Sequence, residues 1–479
     1  MHVSDITALG AVDLSQKIHA GQLKCVDVMR AFLDRIDTLN PVYNAIIMRR
    51  DAEQLMREAL ACDTELSQGR SRGWLHGIPM AIKDTANVAG MPTTLGHAAL
   101  AANKMSKDSP MVARLRAAGA LFIGKTNVPE FALGSHTFNG VFGTTLNAYN
   151  TGKSAGGSSG GAAAGLALNM LPVADGSDFM GSLRNPAGWN NVFGMRPSQG
   201  LVPFAPGPDV WLDQLGTEGP MGRHVRDVRA LLLTQSGYDA GRPLSWSLSD
   251  AEVQRAPIHD LRGIRLGWLG DLQGHLAIEG GILDTCESGL DRLRSAGATV
   301  EALTLPVDWD DVWKAWLIWR SALVGAKVKA VMQIKGAREL TKAEALWEMS
   351  QSEQHSLADL LWASTVRTQF YNAMKAALES VDALALPSAQ VWAFDINQRW
   401  PEQINGRAMD TYHRWMEATI YATFAGLPAI SVPTGFHAQD RTAMGMQLIG
   451  RPRGDLALLD LGAMYEKNAT NLLDIKPNI

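Results

Sequence analysis

Residues 152–200 constrain this chain more than any other stretch. The segment is dense in Gly, Ser and Ala and poor in charge. Such a composition first suggests a flexible loop. Here it is interleaved with apolar runs at 166–173 and 192–195, which need burial. Glycines among buried runs let backbones approach one another and a ligand closely. The segment is therefore expected inside the protein. The 479 residues, 46% hydrophobic and 19% charged, can bury it and are incompatible with a mainly disordered state.

The rest of the chain alternates in period. Residues 12–39 carry Leu14, Ile18, Val26, Met29, Phe32 and Ile36 at helical spacing. Gly21 divides this stretch into two helices, and Asn40-Pro41 is expected to end the second. Residues 51–68 read as a helix with Leu55, Leu60 and Leu66 on one stripe. Gly77-Ile78-Pro79-Met80-Ala81-Ile82-Lys83 reads as a buried strand ending in a cation. Further strands are expected at 121–124, 264–268, 383–387, 429–433 and 444–450. Helices are expected at 111–118, 278–296, 312–332 and 456–467. Length alone suggests roughly two to four domains. Strand-like runs at both ends, with no repeat and no low-complexity linker, favour one large α/β domain over 1–479. Its sheet is expected to be mixed and mostly parallel, with helices on both faces.

Composition narrows the function. Lys plus Arg is 44 and Asp plus Glu is 48, a formal net charge of -4, so neither nucleic acid nor an anionic membrane is expected as partner. No stretch of about 18 uncharged apolar residues is present, and no secretory signal is visible at the start. Cys25, Cys62 and Cys286 are too scattered for a disulfide framework, which fits a reducing, cytoplasmic setting. The eleven histidines form no HExxH pair and no cluster with cysteine, so neither a metal nor a cofactor is expected. GxSxG and GxxxxGK[ST] are both absent.

Two serine-bearing segments remain: Gly156-Gly157-Ser158-Ser159-Gly160-Gly161 and Asp178-Phe179-Met180-Gly181-Ser182-Leu183-Arg184. A serine needs a base to act as a nucleophile. Without a suitable histidine, the candidate is a lysine held neutral by burial, and Lys83 ends an apolar run. Taken alone, Lys83 reads more simply as a lysine snorkelling from a strand end. Trp313, Trp316 and Trp319, at spacing three, read first as core packing and second as an aromatic wall for a substrate.

Those two segments, with Gly194-Met195-Arg196-Pro197, resemble the signature of the amidase signature family of serine hydrolases. The segment Leu75-His76-Gly77-Ile78-Pro79-Met80-Ala81-Ile82-Lys83-Asp84 is similar to that family's lysine-bearing segment. Gly124-Lys125-Thr126-Asn127, Gly219-Pro220-Met221 and Ala425-Gly426-Leu427-Pro428 also resemble family segments, in the family's order. The resemblance covers nearly the whole chain, with a core at 65–225 and a variable region at about 245–400.

It implies a serine–serine–lysine triad: Ser182 as acylated nucleophile, Ser158 as bridging serine after a cis peptide bond, and Lys83 as base. It implies an oxyanion hole from the backbone N–H groups of Phe179, Met180, Gly181 and Ser182. Ser159 is expected near the Lys83 amine, and Asp178 and Arg184 as braces. Leu133, Ser135, Phe138 and Met180 are expected to face the substrate. The family pattern has two glycines before the nucleophile; Met180-Gly181 departs from it. The implied activity is hydrolysis of linear amides, apolar or aryl, without a cofactor, in a possible homodimer. Carbamate or ester cleavage by the same residues is the first alternative. An amidotransferase component that generates ammonia is the second, and a non-catalytic binding protein the third.

Overall fold

In this computed structural model, which describes residues 3–204, 207 and 209–479, the chain builds one large sheet, one small three-stranded sheet and two two-stranded ribbons. Positions 1, 2, 205, 206 and 208, which fall within the expected 1–479 domain and partly within the 65–225 core, lie outside the described residues.

The small sheet has three strands. Pro79–Lys83 pairs in parallel with Leu121–Thr126, which pairs antiparallel with the short Ile46–Ile47. The apolar run ending in Lys83 is thus a buried strand. The large sheet has eight strands, ordered Thr299–Ala302, Arg265–Trp268, Ala383–Pro387, Ala443–Gly450, Ala429–Phe436, Phe193–Arg196, Thr217–Gly222, Val173–Asp178. Helices pack around it; Arg184–Trp189, Ile282–Ser295 and Asp455–Lys467 all rest on the central pair Ala429–Phe436 and Ala443–Gly450. One cluster of buried apolar side chains runs from Ile6 to Ala469.

The sheet is mixed, as expected, but it is not mostly parallel. Five of its seven neighbouring pairs are antiparallel, and two are parallel. Continuous apolar strands show that both faces are covered; they do not report direction. Parallel pairing appears where a helix supplies the crossover, as Ile282–Ser295 does between Arg265–Trp268 and Thr299–Ala302.

Local expectations fare similarly. Pro41 does not stop its helix, which spans Cys25–Tyr43 and ends at Asn44 in the left-handed region, φ 49°. A proline in the last turn forfeits little, and the Asn40 side chain accepts the N–H groups of Ala45 and Ile46 at 3.0 and 2.8 Å. Leu60 is exposed rather than packed, because the buried face of Ala52–Ser67 runs through Leu55, Ala59 and Cys62. Trp313, Trp316 and Trp319 are buried in the core.

The glycine-rich stretch is interior. Helix Gly160–Ala167 is buried at every residue. A Cβ on Gly161 would lie 2.4 Å from the Asn127 nitrogen and 2.5 Å from the Ala45 oxygen. The helix therefore sits against the small sheet as only small residues permit. Among the described residues, no helix is long and apolar enough to cross a membrane. The three cysteines are buried and unpaired.

Candidate active site

Lys83 stands where the two sheets meet. Its backbone N–H lies 3.2 Å from both carboxylate oxygens of Asp175, on strand Val173–Asp178 of the large sheet. Its Nζ donates to Ser158 Oγ and Ser159 Oγ, both at 2.8 Å, and to Ser177 Oγ at 2.9 Å. Ser158 follows a cis peptide after Gly157. Ser159 occupies the N-cap position of helix Gly160–Ala167, its hydroxyl turned to Lys83 rather than to the helix. The structure thus brings Lys83, Ser158 and Ser159 together. It adds Ser177, which no motif singled out; its period-two relation to Asp175 along one strand is the signal that could have found it.

Burial is complete at Lys83 and pushes its pKa down from 10.5 to about 7, against the opposing pull of Asp175, Asp178 and Glu218. Burial raises Asp175 to about 6, although it accepts the Lys83 N–H. Burial and the neighbouring Asp175 push Glu218 up to about 8. Lys83 is therefore a base near neutrality, with Asp175 and Glu218 beside it as acids that ionise late.

Ser182 precedes helix Arg184–Trp189, at the end of a loop that Asp178 organises. The Asp178 carboxylate accepts the N–H groups of Gly181 at 2.9 Å and Leu183 at 3.2 Å, and two guanidinium N–H groups of Arg184 at 2.9 and 3.0 Å. Burial would raise this carboxyl, but Arg184 and Arg196 outweigh it and hold it at about 2. Arg184 also reaches Gln447 Oε1 at 2.6 Å and the Thr419 carbonyl at 2.8 Å, which ties the loop to the central strand Ala443–Gly450 and to the helical turn Arg414–Thr419. Gly181 has φ +82°, and a Cβ there would meet Thr419 at 2.6 Å. Among the expected oxyanion donors, Gly181 is thus spent on Asp178. The N–H groups of Phe179, Met180 and Ser182 have no acceptor among the described residues.

Ser158, Ser177 and Ser182 line one cavity of about 430 Å³. Its walls are largely apolar, with Leu95, Leu100, Met105, Phe131, Val324 and Val328. Of the residues expected to face substrate, Leu133, Ser135 and Met180 line it. Phe138 does not. Its ring packs against His136 at 4.9 Å and beneath Lys342 and Arg399, in a small neighbouring cleft. Two cations of the Trp309–Val331 helix also line the main cavity, Arg320 and Lys327. They lie outside every recognisable motif.

One group of metal-type donors does assemble, contrary to the absence of any cluster in sequence. Cys62, Glu65 and His76 place ligand atoms within 4.8 Å of one another. The His76 and Glu65 atoms are already engaged. His76 Nε2 faces the Cys62 carbonyl at 3.0 Å, its Nδ1 faces the Arg72 N–H at 3.1 Å, and Glu65 pairs with the Arg72 guanidinium.

A mixed sheet wrapped in helices carries a buried lysine on serine hydroxyls beside an apolar cavity, an arrangement that suits a hydrolase. The family model for amidases matches residues 27–459, and the chain belongs to that family of amide-hydrolysing enzymes. It is 30% identical over 464 residues to an acylamidase of Rhodococcus erythropolis, covering 96% of this chain and 95% of that one. It is 31% identical over 481 residues to a component of the glutamyl-tRNA(Gln) amidotransferase of Symbiobacterium thermophilum, with 96% of each covered. Its fold matches the crystal structure of a bacterial aryl acylamidase of the amidase signature family, with TM-score 0.90, 27% identity and 97% of each chain covered.

Proposed function

We propose that this enzyme hydrolyses linear amides of apolar or aryl character, through an acyl-enzyme on Ser182. Neutral Lys83 takes the proton of Ser158, Ser158 takes that of Ser182, and Ser182 Oγ attacks the carbonyl carbon. The free N–H groups of Phe179, Met180 and Ser182 receive the developing oxyanion. The relay then returns a proton to the departing nitrogen, which an amide requires because its anion leaves poorly. Water repeats the cycle on the acyl-enzyme and releases the acid.

The observation that carries this reading is the 2.8 Å contact between buried Lys83 Nζ and Ser158 Oγ, beside the cavity that Ser182 lines. The apolar walls and the names of the acylamidase relatives support the substrate class.

A serine-reactive fluorophosphonate probe, with mass mapping of the adduct, tests the assignment. Ser182 is expected to carry the label. Ser182→Ala is expected to lose both label and turnover with an unchanged circular dichroism spectrum. A Ser182→Ala variant that keeps near wild-type amidase activity would sink it. A panel of anilides, simple amides, esters and aryl carbamates then ranks the substrates.

A further inference from the structure

Arg320 reaches the cavity from the Trp309–Val331 helix and is buried. Its Nε donates to Glu348 Oε1 at 2.6 Å and its Nη2 to the Tyr412 hydroxyl at 2.8 Å. Tyr412 in turn donates to the same Glu348 oxygen at 2.7 Å. Among the described residues, the remaining arm, Nη1, meets only Met180 Sδ, at 3.5 Å. A thioether is a weak acceptor, whereas a guanidinium presents its donors in a fixed fork suited to oxygen. Arg184, buried to the same degree, is by contrast surrounded by oxygens from Asp178, Gln447, Thr419 and Thr423. Met180 and Arg320 both line the cavity that holds Ser182. A strong donor is thus parked on a weak partner, one that can swing aside, in the cavity that Ser182 lines.

We propose that the substrate carries an uncharged oxygen acceptor, an ether or carbonyl, near its scissile carbonyl, and that Arg320 Nη1 binds it in place of the Met180 sulfur. This names the substrate class within the amide-hydrolase reading and rests on it. Charge decides against a carboxylate. Arg320 is already paired with Glu348, and Lys327 on the same wall is paired with Asp213 at 2.9 Å. A further anion would meet two cations that already have carboxylate partners, Arg320 in the interior and Lys327 half exposed to solvent. A plain hydrocarbon would leave Nη1 on sulfur and gain nothing from it.

An isosteric pair tests this: methoxyacetyl and butyryl anilides, which exchange an ether oxygen for a methylene. The corresponding non-cleavable aryl ketones are titrated against Ser182→Ala protein for Kd, so that the readout survives without turnover. The preference for ether over methylene is expected to fall about tenfold in Ser182→Ala carrying Arg320→Met with Glu348→Gln, the second change removing the stranded carboxylate. Met180→Leu, which deletes the competing sulfur, is expected to raise the preference. The succinyl analogue is expected to bind more weakly than the methoxyacetyl one. An ether preference unchanged in both variants, tighter binding of the carboxylate, or binding of neither ketone would overturn the proposal. An intact Arg320-dependent preference with no turnover of any anilide would instead overturn the hydrolase reading and leave this binding site standing.

Discussion

In the proposed relay, Lys83 is the residue on which the chemistry would turn. Burial brings its pKa down to about 7, so its neutral fraction, and with it the capacity to accept a proton from Ser158, is lost as pH falls through that value. kcat/KM on an anilide is expected to rise along an acid limb near pH 7. Asp175 opposes the downward shift of Lys83, and its amide replacement keeps an oxygen for the Lys83 N–H. Asp175→Asn is therefore expected to move that limb toward lower pH, by about one pH unit. A limb that stays in place or moves up would show that the titrating group is not this lysine. Lys83→Ala should lose most turnover, and lose more on amides than on activated esters, since only the amine leaving group depends on the returned proton. Equal losses on matched amide and p-nitrophenyl ester substrates would leave the relay without support.

Among the elements, helix Gly160–Ala167 places Ser158 and Ser159 against Lys83, and it can do so because its contact face is glycine. At Gly161 a Cβ would strike backbone on both sides, Asn127 at 2.4 Å and Ala45 at 2.5 Å. At Gly165 it would meet only the Leu171 side chain, at 3.1 Å. Gly161→Ala is expected to cost roughly 1–3 kcal/mol of stability and to depress amidase activity, because the helix must back away from the lysine. Gly165→Ala should be milder, with a better helix former offsetting a small crowding. Thermal melts and kcat for both variants decide this; equal effects at the two positions would refute the close-approach argument. This element also shows what a sequence discloses. Small residues among buried runs identified an interior segment, and the residue order identified the family. The direction of strand pairing was not legible, since the apolar runs of Ala383–Pro387 and Ala429–Phe436 look alike whether they pair parallel or antiparallel. Pro41 misled because its cost depends on how many turns follow it, and here almost none do.

Across the whole molecule, the site is assembled from segments that touch only after folding. Lys83 comes from the small sheet, Ser177 from the edge strand of the large one, and Arg320 from a helix locked by Glu348 and Tyr412, 28 and 92 residues further along. Motifs reveal residues that each sit in a recognisable segment, so Lys83, Ser158 and Ser182 could be named as candidates. Arg320 and Glu218 could not, because their roles arise from long-range burial. Glu218 gives the fold a pH signature of its own. Burial, with Asp175 beside it, raises its pKa from 4.5 to about 8. In the window between those values the folded chain keeps a proton that the unfolded chain has released. Folding stability contributed by this position therefore falls as pH rises from about 4.5 to about 8. Lys83 acts in the opposite sense and in a higher window. Charging it in the fold is penalised below about 7, and the penalty disappears as pH climbs toward 10.5, where the unfolded chain also loses the proton. Glu218→Gln keeps the shape and removes the titration. Both proteins retain Lys83, so its own contribution largely cancels when the variant is compared with wild type. The melting temperature of this variant relative to wild type is expected to be higher at pH 8 than at pH 5. Calorimetric melts at the two pH values measure it. A difference that does not change with pH would mean that Glu218 ionises in the fold as readily as in water, and a difference that shrinks at pH 8 would mean that its charge is held by Lys83 as a stabilising pair.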